Sequence, residues 1–238
     1  CRSRPCRGRT PAAAPARASR TSRSAPAAGA HRLNIGIIGA GRIGKVHAET
    51  IAFRVPEANA AAITDLNEEA AAQVAARCGI PVVAASVDQI LDDPGIDAVL
   101  ICSSTGTHAD LTIRAARARK HIFCEKPIDH SLAKIDAALA AVAEAGVKLQ
   151  IGFNRRFDPN FARVRAAVQN GEIGSPRLLH IISRDPAPPP VSYVKVSGGM
   201  FLDMTIHDFD MARFLVGDEV EEVYTAAGVM VDPAIGEA

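Results

Sequence analysis

The sequence predicts an α/β protein: a first domain built on a Rossmann-type, doubly wound parallel sheet, and an α+β second domain with a mostly antiparallel sheet. Between residues 33 and 152, short apolar runs without period-two alternation recur, and each is followed by a stretch of helical character. Strands of that kind are buried on both faces, as in parallel sheets covered by helices. After Phe157 this rhythm breaks. We therefore divide the folding part into domains at 31–153 and 154–238.

Each element has a local signal in the sequence. The first domain has predicted strands at 33–38, 59–64, 81–84, 97–102, 121–124 and 148–152. Helices are predicted between them, from the glycine-rich turn to about residue 54, and over 67–78, 86–91, 107–119 and 131–145. The second domain has predicted helices over 159–170 and 200–215, and predicted strands over 176–183 and 220–231, with a Pro-rich loop at 185–190.

Residues 1–30 form a separate segment that consists mostly of Ala, Arg, Pro and Ser. The segment carries seven arginines and no acidic residue, which leaves a net charge of −6 on residues 31–238. It cannot bury enough apolar surface to fold, so we expect a disordered extension. Two interpretations stay open: a non-native upstream extension of a cytoplasmic protein, or an organellar targeting segment.

The composition excludes several classes of protein. The sequence has no run of 18 or more apolar residues, so we expect no membrane span. The mildly acidic folding part gives no reason to expect a nucleic-acid partner. Cys78, Cys102 and Cys124 are odd in number and form no CxxC pair, which indicates reduced thiols in an intracellular compartment.

A glycine-rich turn follows the first predicted strand. The run Gly39-Ala40-Gly41-Arg42-Ile43-Gly44 is a GxGxxG motif between a strand and a helix. The first glycine permits a tight turn, the second lets the backbone approach a pyrophosphate, and the third lets helix and strand pack closely. Arg42 and Ile43 open the helix, whose free N–H groups attract phosphate. The motif therefore predicts a dinucleotide site.

An acidic residue at the end of the second strand indicates which dinucleotide binds. Asp65 lies 21 residues after Gly44. A carboxylate at this position accepts hydrogen bonds from the adenosine ribose and repels a 2′-phosphate, so we expect NAD rather than NADP. The alternative is that Asp65 only caps the next helix.

Polar residues also follow the fourth strand, at Ser103, Thr105 and His108. Open α/β sheets bind ligands at the carboxyl ends of their strands, so we expect these residues near the cofactor. The alternative, that they only cap the helix that begins there, stays open.

The segment Glu125-Lys126-Pro127 follows the fifth strand. A lysine at this end of a strand points toward the ligand cleft, and the proline restricts the backbone beside it. Such a cation stabilises the alkoxide charge that develops on a reacting hydroxyl. The alternative is an ordinary surface lysine.

Asp203, His207 and Asp210 are spaced i, i+4 and i+7 in the predicted helix 200–215, so they share one helical face. An imidazole can accept a proton near neutral pH, and a carboxylate one turn away can orient it. The sequence has no zinc-type spacing, so we predict no metal site. The alternative is a local surface pair.

The order of three motifs resembles that in the Gfo/Idh/MocA oxidoreductases: GxGxxG, then EKP after the fifth strand, then DxxxH in the following domain. The stretches SRDPAPPP at 183–190 and SGGMFLDMTIHDFDM at 197–211 resemble in particular the members that oxidise myo-inositol. The resemblance covers about 33–238. It implies NAD-dependent oxidation of myo-inositol at one ring carbon to 2-keto-myo-inositol (scyllo-inosose), with another sugar or polyol, or NAD binding without catalysis, as the alternatives.

The resemblance also implies roles for individual residues. Lys126 would hydrogen-bond the reacting hydroxyl and the nicotinamide side, His207 would accept the proton, and Asp203 would be the partner of His207. Further cofactor and substrate contacts would come from Glu125, Asn154, Arg156 and Asp210.

Family members pair through the second domain into homodimers and homotetramers. They also continue past residue 238 with further strands, so we expect the C-terminal part of the second domain to be missing from this chain.

Overall fold

The computed structural model describes residues 32–236. The segment 1–30, for which the sequence predicts a disordered extension, lies outside the described residues. No helix in the described part of the chain combines the length and the apolar character that a membrane crossing needs. Cys78, Cys102 and Cys124 are free thiols, and burial raises the pKa of the Cys102 and Cys124 thiols.

The first domain is a six-stranded sheet in the order β3-β2-β1-β4-β5-β6. Every neighbouring pair of strands is parallel. The strands are β1 (Leu33–Ile38), β2 (Ala58–Thr64), β3 (Val82–Val83), β4 (Ala98–Ile101), β5 (His121–Cys124) and β6 (Leu149–Ile151). This is the order of a Rossmann sheet, so the predicted doubly wound parallel architecture is confirmed.

Helices connect the strands of the sheet, and three further helices follow β6 in the described part of the chain. They are α1 (Arg42–Arg54), α2 (Glu68–Cys78), α3 (Val87–Leu91), α4 (His108–Arg117), α5 (Leu132–Ala145), α6 (Pro159–Gln169), α7 (Val191–Ser197) and α8 (Ile206–Val216). Short 3₁₀ turns cover Thr105–Thr107, Asn154–Phe157 and Pro233–Ile235. The bounds of the first domain's elements agree with the predicted ones to within two residues.

Both faces of the sheet are covered, which explains the continuous apolar runs in the sequence. Consecutive strand residues point to opposite faces: Ile37 belongs to one buried cluster and Ile38 to the other. The Ile37 cluster includes side chains of α1 and α2, and the Ile38 cluster includes side chains of α3 and α4. A strand that must fill two cores cannot alternate with polar residues.

The reversal of strand order between β1 and β4 places the site. β2 and β4 pair in parallel with β1 on its two opposite sides, and ligands of such sheets bind where the order reverses. The amide of Cys102 donates to the carbonyl of Ile38, and the amide of Gly39 donates to the carbonyl of Thr64, both at 2.8 Å. The glycine turn thus lies between the carboxyl ends of β2 and β4.

The predicted antiparallel sheet of the second domain is not confirmed. The described residues after Phe157 contain no strand, and the segments 176–183 and 220–231 are almost wholly exposed. A strand is stable only with hydrogen-bonded neighbours, and two candidate strands make a poor sheet on their own. The apolar residues of these two segments are therefore insufficient to form a sheet in the described part of the chain.

The structure also differs from the prediction of one regular helix over 200–215. A π-helical turn covers Phe201–Thr205 and leads into α8. The additional helix α7 precedes it and ends at Gly198, whose φ of 84° is left-handed. Asp203 therefore lies in the π turn, whereas His207 lies in the first turn of α8. Such π turns are frequent at functional sites.

Candidate active site

The glycine turn is shaped by the backbone contacts of two glycines. Gly39 has a φ of 108°, and a Cβ there would lie 2.6 Å from the backbone of Cys102. A Cβ on Gly44 would lie 2.0 Å from the carbonyl oxygen of Gly39. Gly41 differs, because a Cβ there would meet nothing within 4 Å. The turn therefore leaves open space in front of Gly41, which fits a diphosphate.

The N-terminus of α1 is free to bind an anion. Its N-cap is Gly41, which makes no side-chain capping bond, and its first turn has no acidic residue. The amides of Arg42 and Ile43 open this helix, and the first N–H groups of a helix have no partner within it. Together with the helix dipole, they favour a phosphate at this end. These residues fit a dinucleotide.

Asp65 joins the glycine turn to the end of β2. One carboxylate oxygen accepts the amide of Ala40 at 2.6 Å, and the other accepts the amide of Asn67 at 2.8 Å. The cap of α2 is Asn67, whose side chain accepts from the amide of Ala70. The alternative that Asp65 caps this helix is therefore wrong. Asp65 fixes the turn through the amide of Ala40 and lies beside it. The contact between Asp65 and the adenosine ribose stays a prediction.

Ser103, Thr105 and His108 lie together after β4, but they do not cap α4. Ser103 exchanges a hydrogen bond with the hydroxyl of Thr107 at 2.7 Å, and Thr105 opens a 3₁₀ turn. His108 opens α4, and its side chain is 2% exposed. The Nδ1 atom of His108 lies 2.8 Å from the carbonyl oxygen of Pro127, and Nε2 lies 3.0 Å from that of Ser103. His108 thus connects two loops at the carboxyl edge of the sheet.

Lys126 reaches from the end of β5 to the second domain. Its Nζ atom donates to the backbone carbonyl of Asp203 at 2.7 Å and to the carboxylate at 3.1 Å. The side chain of Lys126 is 17% exposed and that of Asp203 is 22% exposed. Lys126 is therefore not an ordinary surface lysine.

Asp203 binds partners other than His207. Besides Lys126, its carboxylate accepts the hydroxyl of Tyr193 at 3.0 Å, and burial together with this carboxylate raises the pKa of Tyr193. In the described part of the chain no hydrogen bond joins Asp203 to His207. The His207 ring instead packs edge-on against Phe153, with centroids 6.4 Å apart. Asp203 as a direct partner of His207 is thus not observed in this geometry.

The environment of His207 favours its neutral form. Burial is the largest cause that lowers its pKa, and the positive charges of Lys126 and Arg155 lower it further. Glu125 and Asp208 act in the opposite direction without cancelling the effect. The imidazole is therefore neutral, and able to accept a proton, at pH 7.

This electrostatic coupling predicts opposite effects of two substitutions. We expect Lys126→Met to raise the pKa of His207, because a nearby positive charge is removed. We expect Asp208→Asn to lower it, because a nearby negative charge is removed and its ion-pair partner Arg155 becomes unopposed. Titration of His207 by NMR measures both shifts without turnover. Shifts of the same sign in the two variants would contradict the geometry.

Arg156 and Asp210, both predicted substrate contacts, form an ion pair. The guanidinium makes contacts of 2.5 to 3.0 Å with both carboxylate oxygens, and the Asp210 side chain is 7% exposed. Arg155 and Asp208 form a second ion pair alongside. Asn154 begins the 3₁₀ turn that carries both arginines. The two pairs hold this turn against α8, beside His207.

Two residues of the site, His47 and Tyr193, were not indicated by the sequence pattern. His47 lies 2.7 Å from Glu125, through Nε2 and Oε1, and Tyr193 bonds Asp203. The position of His47, three residues after Gly44 in the glycine-turn helix, was an available signal. No such signal indicated Tyr193, because it lies in α7, a helix that the sequence did not predict.

Gly41 and Gly44 should respond differently to alanine. We expect Gly44→Ala to destabilise the protein by about 3 kcal/mol, because its methyl group clashes with backbone that cannot move aside. We expect Gly41→Ala to cost less than about 1 kcal/mol, the range for a poorer N-cap. Yet Gly41→Ala should weaken NAD binding by about tenfold, or about 1.4 kcal/mol, because its methyl group fills the open space. Thermal unfolding and calorimetry measure the two effects, and unchanged NAD affinity in Gly41→Ala would contradict the placement of the diphosphate.

The fold and the turn define the class of protein: a Rossmann domain that binds a dinucleotide at the switch point of its sheet. Among residues 32–236, no group of three or more His, Cys, Asp or Glu side chains is arranged to hold a metal ion. The model of the oxidoreductase family with an NAD-binding Rossmann fold matches residues 33–153, and that of the GFO/IDH/MocA C-terminal domain matches residues 161–237. The chain belongs to the Gfo/Idh/MocA oxidoreductase family.

Similar proteins include named inositol dehydrogenases. Myo-inositol 2-dehydrogenase of Thermotoga maritima is 50% identical over 206 residues, which are 87% of this chain and 61% of that protein. The structure of a putative myo-inositol dehydrogenase from Sinorhizobium meliloti is 50% identical, with a TM-score of 0.83 over 86% of this chain and 61% of that one. The scyllo-inositol dehydrogenase of Lactobacillus casei, solved with NAD(H) and scyllo-inositol, is 34% identical, with a TM-score of 0.79 over 87% of this chain and 62% of that one. The chain thus spans about 61% of the length of these relatives.

Proposed function

We propose that this chain carries the active site of an NAD-dependent dehydrogenase that oxidises myo-inositol to 2-keto-myo-inositol. The supporting observation is the meeting of Lys126, from the end of β5, with the π turn that precedes His207. After burial, the charge of Lys126 is the next cause that lowers the pKa of His207, which supports a common site for the two side chains. The relatives named as myo-inositol dehydrogenases support the substrate.

Proton removal is the task proposed for His207. Oxidation of a secondary alcohol removes a proton from oxygen and a hydride from carbon, and leaves a ketone. The neutral imidazole, held against Phe153, takes the proton from the hydroxyl. NAD, when bound, supplies the acceptor for the hydride.

Stabilisation of charge is the task proposed for Lys126. Its ammonium is preorganised by two bonds to Asp203 and stabilises the negative charge that develops on the hydroxyl oxygen. Burial and, after it, this same charge lower the pKa of His207 and favour its neutral form. Asp203 therefore acts through Lys126 in this proposal, as the anchor of the ammonium.

Recognition of the other hydroxyls is proposed for Arg156, Asp210 and Asn154. The Arg156–Asp210 pair presents donors and acceptors in a fixed arrangement next to α8, and a polyol offers both donors and acceptors. Asp65, the amides of Gly41 to Gly44, Ser103 and Glu125 are the proposed surroundings of the dinucleotide.

A panel of polyols tests the substrate. We would measure NADH formation with NAD and, separately, myo-inositol, scyllo-inositol and several pyranose sugars. Fastest turnover on myo-inositol supports the proposal. Fastest turnover on scyllo-inositol or a sugar supports the alternative that the same site serves another polyol, as the Lactobacillus casei relative illustrates for scyllo-inositol.

Binding without turnover is the second alternative. The described second-domain residues include no strand that could close a pocket as a sheet, so we would measure NAD affinity by calorimetry alongside the activity assay. NAD binding with no polyol-dependent NADH formation would favour a binding role for this chain.

We also propose that segments 176–183 and 220–231 become strands of a mostly antiparallel sheet when they have further partners, and that this sheet joins copies into homodimers or homotetramers. Their exposed apolar side chains, such as Leu178, Ile182, Val223 and Tyr224, support this proposal. Size-exclusion chromatography with light scattering tests it, and a strictly monomeric protein would contradict it.

A further inference from the structure

We propose that His108 and His47 are positioning residues that hold the backbone of Lys126 from its two sides. Neither residue has this role in the function proposed above, and the consequence for turnover rests on that proposed function. The positioning itself is a property of the fold and can be tested without turnover.

His108 holds the residue that follows Lys126. Its Nδ1 atom lies 2.8 Å from the carbonyl oxygen of Pro127, and its Nε2 atom lies 3.0 Å from that of Ser103. Proline has no N–H to donate, so this carbonyl is the polar group by which the backbone of Pro127 can be anchored. Ser103 lies two residues after the end of β4, so His108 connects the Lys126 loop to the loop that follows the neighbouring strand.

His47 holds the residue that precedes Lys126. Its Nε2 atom lies 2.7 Å from one carboxylate oxygen of Glu125, and the other oxygen receives the amide of Lys126 in a long contact of 3.4 Å. The carboxylate also packs against Gly152, where a Cβ would lie only 2.9 Å from it. These two contacts therefore connect α1, through His47 and Glu125, to the backbone amide of Lys126.

Direct contact with a ligand does not explain His108. Its side chain is 2% exposed, and both ring nitrogens already face carbonyl oxygens. A side chain so enclosed reaches neither a cofactor nor a substrate, so it acts through Pro127. This changes the role that the sequence indicated for His108, which was a contact to the cofactor.

Fixing the backbone matters because lysine is long and flexible. Its ammonium sits on a four-carbon stem with many rotamers, and it meets Asp203 only if the stem starts from the right place. Misplacement of a catalytic group by about 1 Å costs about 10²-fold in rate. Two anchors on adjacent residues limit such movement.

Paired variants test each anchor. His108→Asn keeps a donor near Nδ1, toward Pro127, whereas His108→Gln keeps one near Nε2, toward Ser103. His47→Gln keeps a donor near Nε2, toward Glu125, whereas His47→Leu removes it. Exposed His180 provides the control His180→Gln.

The measurement is the rate at which an amine-reactive reagent labels Lys126 in the whole chain, followed by mass spectrometry of peptides. An ammonium bound to Asp203 reacts slowly. We expect the Lys126 rate to rise several-fold, about fivefold, in His108→Gln and His47→Leu, and to stay near that of the unmodified chain in His108→Asn, His47→Gln and His180→Gln. Exposed Lys134 calibrates the reagent, and buried Lys120 reports global unfolding.

Equal Lys126 rates in His108→Asn and His108→Gln, with Lys120 protected in both, would overturn the role of His108. Equal rates in His47→Gln and His47→Leu would overturn the role of His47. If His108→Gln unfolds, which labelling of Lys120 reveals, the His47 pair still decides whether anchoring beside Lys126 controls its ammonium.

Turnover provides the second readout. If the chain oxidises a polyol, kcat should fall by about tenfold or more in His108→Gln, with the KM for NAD within about twofold, and His108→Asn should restore most of it. If the unmodified chain shows no turnover, the proposed function fails, but the labelling rates still test the positioning.

Discussion

Lys126→Ala is expected to lower kcat for polyol oxidation by about 10²- to 10³-fold, the range for loss of one preorganised donor to a developing oxyanion. Its ammonium is held by both the carbonyl and the carboxylate of Asp203, so its position is fixed before substrate binds. The affinity for NAD should change by less than about threefold, because the open space at Gly41 and the N-terminus of α1 are unaffected.

Lys134→Ala is the matched control for this prediction. Lys134 is about half exposed and lies 3.6 Å from Asp129, in the segment just after Lys126. We expect its loss to leave both kcat and NAD affinity unchanged. NADH formation and calorimetry measure the two quantities, and thermal unfolding checks that each variant folds. Full activity in Lys126→Ala would remove the main support for the dehydrogenase assignment.

His207→Ala is expected to lower kcat by about 10²- to 10⁴-fold, the usual contribution of a general base. The imidazole is neutral at pH 7 because burial, Lys126 and Arg155 lower its pKa, so the base is in its active form in the unmodified chain. Its loss removes the proton acceptor and leaves the Lys126–Asp203 pair in place. His180→Ala, in an exposed loop, is the control.

The pH dependence should follow from the same lowered pKa. We expect activity to rise as pH increases through a value below the usual 6.5 of histidine, and then to be level through neutrality. Asp208→Asn should move this rise to lower pH, because Asp208 raises the pKa of His207. An activity rise centred above pH 7 would contradict His207 as the base.

Stability should depend on the same group with a defined sign. The pKa of His207 is lower in the folded chain than in the unfolded chain, so the unfolded chain binds a proton first as pH falls. Stability is therefore lost as pH falls from the unfolded value of about 6.5, and is unaffected by this group above it. His207→Gln should reduce that loss, as measured by unfolding at pH 5 and pH 8 (about 1.5 units on each side of the unfolded value).

The sequence by itself determined the first domain and the order of its parts. Apolar runs predicted the six strands of the parallel sheet, and GxGxxG predicted the turn whose glycines avoid backbone clashes at Gly39 and Gly44. It also placed Asp65 and Lys126 at the carboxyl ends of β2 and β5. These features are local: burial on both faces and glycine dihedrals constrain residue type at each position, so they can be read along the chain.

Only the tertiary structure decided the partners of these residues. Lys126 meets Asp203 across 77 residues, His47 meets Glu125 across 78, and Arg156 pairs with Asp210 across 54. The sequence indicated His207 as the partner of Asp203, whereas the carboxylate of Asp203 in the folded chain accepts from Lys126 and Tyr193. The segments at 176–183 and 220–231 were predicted as strands, but they have no hydrogen-bonded strand partners in the described part of the chain. A hydrogen-bond partner is set by distance in the folded chain, and spacing along a sequence does not encode that distance.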